Sequence, residues 1–291
     1  MDGPLTNTRL TEEFTMGMQI NTNISAMNAH RNLSNTQNDL SKSLEKLSSG
    51  LRINRAADDA AGLSISEGLR SQVNGLAVAA RNAQDGISVI QTAEGALTEV
   101  HSILQRVRDL AVQSGNDSNN TESREAIKAE SDALGDELIR IGGATNFNGI
   151  ALLDGSADLT FQVGAGSTAA NDQIGVDLTG TNLATLGATV KALTYVDSAV
   201  ALTSIASVDT EITAISTQRS EIGAVQNRFE SAINSLNVSR ENLAAAESRI
   251  RDVDMAGEMV KFTAKNILSQ AGTAMLAQAN QSNQGVLSLL R

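Results

Sequence analysis

The side chains that could do acid–base or metal chemistry stand in two short carboxylate pairs. Asp58 and Asp59 are adjacent, and Asp252 and Asp254 lie two residues apart in the last quarter of the chain. Calcium needs roughly six or more oxygen ligands, and neither pair lies in a loop with the spacing of a calcium-binding motif. The pattern therefore favours solvated or ion-paired connectors. The arginines that could serve as partners between molecules are Arg52, Arg55, Arg249 and Arg251.

Nucleophilic catalysis and phosphate binding are not indicated either. The two histidines, His30 and His101, lie in different predicted helices, so no Ser-His-Asp arrangement is supported. The Gly164-Ala-Gly166 stretch lacks the further glycine and the following helix of a phosphate cradle, so we expect a turn there. Cysteine is absent, which leaves no disulfide framework and no thiolate ligand for a metal. We expect a protein that is not an enzyme, with no catalytic residue, cofactor or metal site.

Charge and composition narrow the binding functions. The net charge is −11 at pH 7, whereas binding nucleic acid or an anionic membrane requires a basic face. The uncharged stretch at 266–290 carries several Gln and Asn side chains, which argues against a membrane span. The start of the chain lacks the features of a cleaved secretory signal peptide, so we expect none. With 2% aromatic residues and one proline, burial is expected through many small contacts along extended helices.

One long apolar stripe organises the elements that hold these residues. Between Val208 and Ile250, apolar residues follow the alternating four- and three-residue step of a helix–helix seam. A continuous helix of this length spans roughly 65 Å at about 1.5 Å per residue and needs an equally long partner. Two positions on the seam are arginines, Arg219 and Arg240, which we expect to fix the register or to contact a neighbouring molecule.

A second seam of the same length, from Leu69 to Ala111, is the expected antiparallel partner. A shorter amphipathic helix follows it, with Ile127, Leu134 and Leu138 on one face. The glycine-rich stretch at about 145–190 alternates apolar and polar residues, which predicts a small β-hairpin region at the central turning point. The predicted fold class is mainly α, a long antiparallel coiled-coil-like helical bundle.

The two ends of the chain are predicted to be helices that cannot fold alone. Leucines step along one face of the first helix, which closes near Gly50, and Ser64 with Glu67 has capping-box spacing for the helix that follows. The ends are rich in Ala, Gln and Asn, so their burial does not offset an ordering cost of about 1–2 kcal/mol per residue. We expect them to become helical when neighbouring molecules supply apolar surface. Residues 1–17 show no period and are predicted to be a disordered extension.

Several motifs, in the same order along the chain, resemble those of bacterial flagellin. They cover essentially residues 16–150 and 200–291 and identify the chain as a member of that family, in a short form with only the two core domains. The matching stretches are Met18-Gln-Ile-Asn-Thr-Asn-Ile-Ser-Ala-Met-Asn-Ala, Leu47-Ser-Ser-Gly-Leu-Arg-Ile-Asn, Ala56-Ala-Asp-Asp-Ala-Ala-Gly-Leu, Leu104-Gln-Arg-Val-Arg-Asp-Leu-Ala-Val-Gln, Phe147-Asn-Gly and the closing residues 270–291.

The resemblance implies a structural subunit of the extracellular flagellar filament, exported unfolded through the flagellum's own secretion channel and polymerised at its tip. It implies an inner-core domain of residues 18–60 with 252–291 and an outer-core domain of residues 61–251. The implied partners are other copies of the chain, an export chaperone, the filament cap and the hook–filament junction proteins. We expect no nucleic acid and no membrane partner.

The resemblance also assigns residues to contacts. It implies recognition by the Toll-like receptor that senses flagellin through Arg106, Leu110 and Glu130, although Leu110 could equally pack on the helix around Ile127. The terminal leucines resemble those that cytosolic sensors and the chaperone engage, with packing in the inner core as their primary role. The expected inner-core assembly residues are Leu33, Leu40, Leu44, Leu47, Met259, Phe262, Ile267, Leu287, Leu289 and Leu290.

Two other functions remain open at this point. A hook–filament junction protein shares the terminal helices, but the match through Arg291 and the continuous stretch at 104–113 favour flagellin. A secreted coiled-coil adhesin or effector would share the seams but not the motifs.

Overall fold

The computed structural model describes the backbone of residues 22–289 and the side chains of residues 22–281. The predicted extension at residues 1–17 lies outside this range. Two compact units divide the chain. The first comprises the described residues up to Ser64 together with those from Arg249 onward, and the second comprises Ile65–Ser248.

Helices make up most of the described chain, which confirms the predicted fold class. The α-helices are α1 (Ile24–Ser49), α2 (Ala60–Ser114), α3 (Thr121–Ala144), α4 (Ala169–Asp172), α5 (Leu183–Ala192), α6 (Ser198–Arg251) and α7 (Met255–Leu289). The strands are β1 (Asn146–Phe147), β2 (Ile150–Ala151), β3 (Asp158–Gln162) and β4 (Gln173–Asp177).

The second unit is built on the predicted antiparallel pair, α2 and α6. Two ion pairs cross between these helices in opposite order along the chain: Arg108 meets Asp209, and Glu94 meets Arg219. Leu97 and Leu104 of α2 and Phe229 of α6 are fully buried in the core. Burial is uneven along α6, however. Its seam residues Val208, Ile215, Ile222 and Phe229 are buried, whereas the apolar seam residues beyond Phe229 are only half-buried.

The predicted β region consists of two antiparallel hairpins. In the first, β1 and β2 are joined by Asn148 and Gly149, both with positive φ, which is the backbone of a type I′ turn. In the second, β3 pairs with β4 with Phe161 opposite Ile174. This hairpin contacts α2: the Asn82 amide donates a hydrogen bond to the carbonyl of Gln162 at 3.0 Å.

The glycine-rich region also contains α5, a helix that the sequence pattern did not predict. Its Gly187 faces Gly135 of α3 so closely that a Cβ at Gly187 would lie 2.6 Å from the Gly135 carbonyl oxygen. The segment has a local start signal, because the Asn182 side chain accepts a hydrogen bond from the Thr185 N–H at 3.0 Å, while Gly187 in its middle weakens the helix pattern. The close approach of the two backbones packs α5 on α3, and this contact is visible only in three dimensions.

The predicted start of the second helix was wrong. The helix α2 begins at Ala60, where the Asp59 carboxylate accepts a hydrogen bond from the Gly62 N–H at 2.8 Å. Aspartate at this position satisfies an N–H group that has no partner within the helix. Ser64 and Glu67 therefore lie inside the helix, and Asp59 is its cap.

Two glycines of α2 give a matched test of core packing. A Cβ at Gly86 would lie 2.8 Å from the Phe229 ring, whereas a Cβ at Gly95 meets nothing within 4 Å. We expect Gly86→Ala to lower the free energy of unfolding by about 1–3 kcal/mol through overpacking. Gly95→Ala should raise it by about 0.5–1 kcal/mol because alanine loses less backbone freedom on folding. Urea unfolding of the purified monomer measures both; equal effects at the two sites would contradict the packing around Phe229.

Candidate functional site

The two terminal helices, α1 and α7, carry most of the predicted assembly residues, and local signals set their ends. The Asn23 side chain accepts a hydrogen bond from the Ala26 N–H at 2.9 Å, and Gly50 ends α1 with φ of 74°. Asp254 accepts hydrogen bonds from the N–H groups of Ala256 and Gly257 at the start of α7. Each helix is thus capped by a short polar side chain or by glycine.

The terminal helices pack against each other as an antiparallel pair. The Asn23 amide donates to the carbonyl of Ala279 at 2.9 Å at one end. The Asp39 carboxylate meets the Lys265 ammonium at 2.7 Å nearer the other end. Short backbone bonds close the connectors beside them, including the Arg52 N–H to the Arg251 carbonyl at 2.6 Å. The pair therefore has one defined register.

A buried carboxylate lies within this pair. Glu258 of α7 is 5% exposed and accepts a hydrogen bond from the Ser43 hydroxyl of α1 at 2.6 Å. The Ser43 hydrogen bond lowers the pKa of Glu258, helped by Lys261 and opposed by burial. Because the pKa is lowered, the ionised carboxylate stabilises the pair above the ordinary glutamate pKa of about 4.3. That contribution is lost as the pH falls through the lowered value.

The predicted assembly residues divide into two sets. Leu33, Leu40, Leu47 and Phe262 are half-buried in the structure, and Gly272 leaves room for Leu33. The exposed set consists of Leu44, Met259 and Ile267. The side chains of Leu287, Leu289 and Leu290 lie outside the described residues.

The terminal helices expose more apolar residues than the predicted inner-core assembly residues alone. Ile267 is 61% exposed and Val260 70% exposed, both on α7. Alongside them, a shallow apolar groove of about 400 Å³ runs from Met259 to Ile267. Further exposed apolar residues of the two helices, missed from the sequence because they lie off the seam, are Ile24, Met27, Met255, Leu268 and Met275. Each helix of the pair therefore keeps exposed apolar side chains that other helices could cover.

The three predicted receptor residues lie at two depths. The Arg106 guanidinium of α2 donates two hydrogen bonds to the Glu130 carboxylate of α3, at 2.6 and 2.9 Å. These two side chains are 54% and 45% exposed. Leu110, one turn from Arg106, is 1% exposed and belongs to the core that includes Ile127. The arrangement presents an ion pair to solvent and keeps the leucine beneath it.

The carboxylates of Asp58 and Asp59 bind backbone and side-chain groups of their own chain, in the connector before α2. Asp58 accepts hydrogen bonds from the backbone N–H groups of Asn54 and Arg55, and these bonds lower its pKa. Asp59 caps α2 and lies 3.9 Å from the Arg52 guanidinium. Among residues 22–281, no cluster of three or more His, Cys, Asp or Glu side chains is placed to hold a metal ion. Within the same described part of the chain, no helix is long and apolar enough to cross a membrane.

Comparison with known proteins gives two family matches. Residues 20–158 match the bacterial flagellin N-terminal helical region, and residues 205–290 match the bacterial flagellin C-terminal helical region. The two matches together cover more than half of the chain.

Individual relatives agree along their whole length. The chain is 54% identical over 275 residues to a flagellin of Halalkalibacterium halodurans, covering 94% of this chain and 100% of that protein. It is 49% identical over 312 residues to a flagellin of Bacillus subtilis, with the same coverage. The flagellar filament 33 kDa core protein of Treponema phagedenis is 46% identical over 286 residues, again with 94% and 100% covered. The crystal structure of Bacillus cereus flagellin, 34% identical, covers 57% of this chain and 94% of its own, with a TM-score of 0.46.

The two seam arginines differ in environment, and this difference can be tested. The Arg219 guanidinium lies 2.6 Å from the Glu94 carboxylate of α2, whereas Arg240 is exposed. We expect Arg219→Glu to lower the free energy of unfolding of the monomer by roughly 1 kcal/mol, because two like charges then meet in a half-buried contact. Combining it with Glu94→Arg should restore most of the loss.

Arg240→Glu is the matched control and should change the free energy of unfolding by less than about 0.5 kcal/mol. A double-mutant cycle in urea supplies the coupling energy between the two sites. A coupling near zero would show that Arg219 does not set the register of α2 and α6.

Proposed function

We propose a route of assembly for this chain, which belongs to the bacterial flagellin family and is a structural subunit of the bacterial flagellar filament. The chain polymerises with copies of itself. In the proposed route, α1 and α7 form an inner-core domain of residues 18–60 with 252–291, and residues 61–251 form an outer-core domain. The division of the described residues after Ser64 and before Arg249 supports this assignment.

The observation that carries the proposal is the exposed apolar surface of the terminal pair. Val260, Ile267 and Met275 are each more than half exposed on α7, and Met27 is equally exposed on α1. Soluble monomers rarely keep large contiguous apolar patches in water, and those that do use them for binding. Neighbouring copies of the same helices are the partners that would cover both faces of the pair.

The same surface explains why the ends should not fold before assembly. Two helices that bury only one side of each other recover little of the ordering cost of about 1–2 kcal/mol per residue. The first and last segments therefore stay unfolded in the monomer and become helical when they join the filament. This coupling keeps free monomers from polymerising early.

Unfolded ends also suit the proposed export. A chain without cysteine carries no disulfide that would block passage through a narrow secretion channel. In this route an export chaperone engages the carboxyl-terminal leucines, and the filament cap and the hook–filament junction proteins meet the same terminal segments. Packing in the inner core is the final role of Leu287, Leu289 and Leu290, and the assembled filament lies outside the cell.

Limited trypsin digestion tests the coupled folding within one chain. We expect rapid cleavage in the monomer and strong protection in the filament at the basic residues of the terminal helices, because unfolded backbone fits a protease and packed helix does not. These residues are Arg31, Lys42, Lys46, Lys261 and Lys265. Arg219 and Arg228 of α6 are internal controls and should resist in both states. Protection of the terminal sites in the monomer would contradict the proposal.

We also propose that the Toll-like receptor that senses flagellin binds at the exposed Arg106 and Glu130 pair. A charged pair on a helical flank offers an interface both hydrogen-bond donors and acceptors. Leu110 acts from beneath by holding α2 against α3 and does not touch a partner directly.

A receptor-reporter assay on purified monomers tests this surface. Arg106→Ala should raise the half-maximal concentration by at least about tenfold, the loss expected for an interface residue worth roughly 1.4 kcal/mol. Arg108→Ala is the matched control, because it removes an arginine paired with Asp209 on the other flank of α2. Leu110→Ala should lower the free energy of unfolding by about 2–5 kcal/mol. Equal signalling by the Arg106 and Arg108 variants would refute the assignment.

A further inference from the structure

We propose that Ser43 and Glu258 form a polar key that sets the register of the terminal helices in the filament. The inference rests on the proposed function, because it concerns the α1–α7 pair in its assembled state. Ser43 is 7% exposed and Glu258 is 5% exposed, and their hydrogen bond crosses between the helices at 2.6 Å. Glu258 acts here as a positioning residue.

The apolar contacts of the pair do not by themselves select one register. Leu33, Leu40 and Leu47 recur every seven residues along α1 and are all half-buried. A slip of α7 by one heptad keeps a leucine at each of these positions and changes the packing most at Leu33, which fits beside Gly272. Repetitive apolar seams of this kind commonly depend on a single buried polar residue to define their register.

A slip would take the Ser43 hydroxyl away from the Glu258 carboxylate and leave it only the exposed Lys261 ammonium of its own helix, which donates to Oε2 at 3.2 Å. After a slip of one heptad, Glu258 faces the level of Thr36 or of Gly50. Gly50 has no side chain, and the Thr36 hydroxyl already donates to the carbonyl of Asn32 at 2.9 Å. A slip of three residues in one direction or four in the other brings Glu258 to Leu40 or Leu47, which have no polar side-chain atom. The reverse slips bring it to Lys46 or to the Asp39 carboxylate, which is paired with Lys265 in the native register. At Thr36, Gly50, Leu40 or Leu47 the carboxylate loses the buried hydrogen bond from Ser43, which is unfavourable.

The ion pair between Asp39 and Lys265 marks the same register more weakly. Its N–O distance is 2.7 Å, but the two side chains are 49% and 37% exposed. Water screens such a pair, and the long lysine side chain can follow a displaced partner. Among the contacts described for this pair, the Ser43–Glu258 bond combines burial with a short, rigid donor.

The absence of cysteine makes the register directly measurable. A Cβ at Gly272 would lie 3.7 Å from the Cβ of Leu33, close to the spacing of about 3.8 Å in disulfides. Leu33→Cys with Gly272→Cys therefore reports the native register. Leu33→Cys with Ala279→Cys reports a slip of one heptad, because residue 279 lies roughly 10 Å further along α7 at about 1.5 Å per residue.

The experiment compares the two reporters in assembled filaments. Each reporter is polymerised, oxidised and run on a non-reducing gel, which separates intramolecular disulfides from links between subunits. With the natural Ser43 and Glu258, the native reporter should close and the slipped reporter should stay open. With Glu258→Leu, the ratio of slipped to native disulfide should rise about tenfold, the factor that corresponds to one buried hydrogen bond worth about 1.4 kcal/mol.

Two further variants separate register from simple stability. Exchanging the two residues, Ser43→Glu with Glu258→Ser, rebuilds the bond in the opposite direction and should restore the native ratio. Glu241→Leu removes an exposed glutamate of α6 and should leave the ratio unchanged. Ser43→Val serves as the second test if Glu258→Leu does not polymerise, and it should also raise the slipped fraction.

The outcomes separate two claims: that the Ser43–Glu258 bond sets the register, and that α1 pairs with α7 in the filament. An unchanged ratio in Glu258→Leu or Ser43→Val filaments overturns the key while leaving the terminal pair intact. A native reporter that fails to close in filaments with the natural Ser43 and Glu258 overturns the proposed pairing, and the key falls with it.

Discussion

The terminal helices of this protein present more apolar side chains than two helices can bury. Ile267 of α7 and Met27 of α1 stay more than half exposed even where the helices pack against each other. Water disfavours such a surface, and ordering the backbone costs free energy as well. In the proposed route, helical packing among many copies buries this surface and offsets the ordering of the backbone. Filament formation would then supply the burial that the single chain lacks.

The second unit, in contrast, buries its large apolar side chains within the single chain. Leu97, Leu104 and Phe229 are fully buried, and Phe161 meets Phe229 edge to face with ring centres 5.6 Å apart. The close approach of Gly135 and Gly187 lets α5 pack tightly on α3 and close the core from one side. A unit with its own core does not depend on neighbouring copies to bury its apolar side chains.

Small aliphatic side chains pack well but discriminate poorly between registers, and polar residues supply the missing specificity. In the second unit, Glu94 with Arg219 and Arg108 with Asp209 have reversed charge order on the two helices. In the terminal pair, Ser43 with Glu258 holds the same kind of position under deeper burial. A chain with 2% aromatic residues has few large side chains that fit at only one position of a neighbouring helix. Its charged and hydroxyl side chains therefore fix the register of the helix pairs.

Much of this protein follows from its sequence alone. Periodic apolar residues and strong caps determine long helices locally, and the alternation near Phe161 and Ile174 determines a hairpin, because these signals repeat over many neighbouring residues. The family motifs identify the chain for the same reason. Contacts between distant segments were decided only by the tertiary structure. The burial of Leu110, the partner of Arg219 and the bond between Ser43 and Glu258 each depend on residues far apart in sequence. No local pattern encodes such a pairing, since the free energy of burial is set by whatever side chain the fold brings opposite.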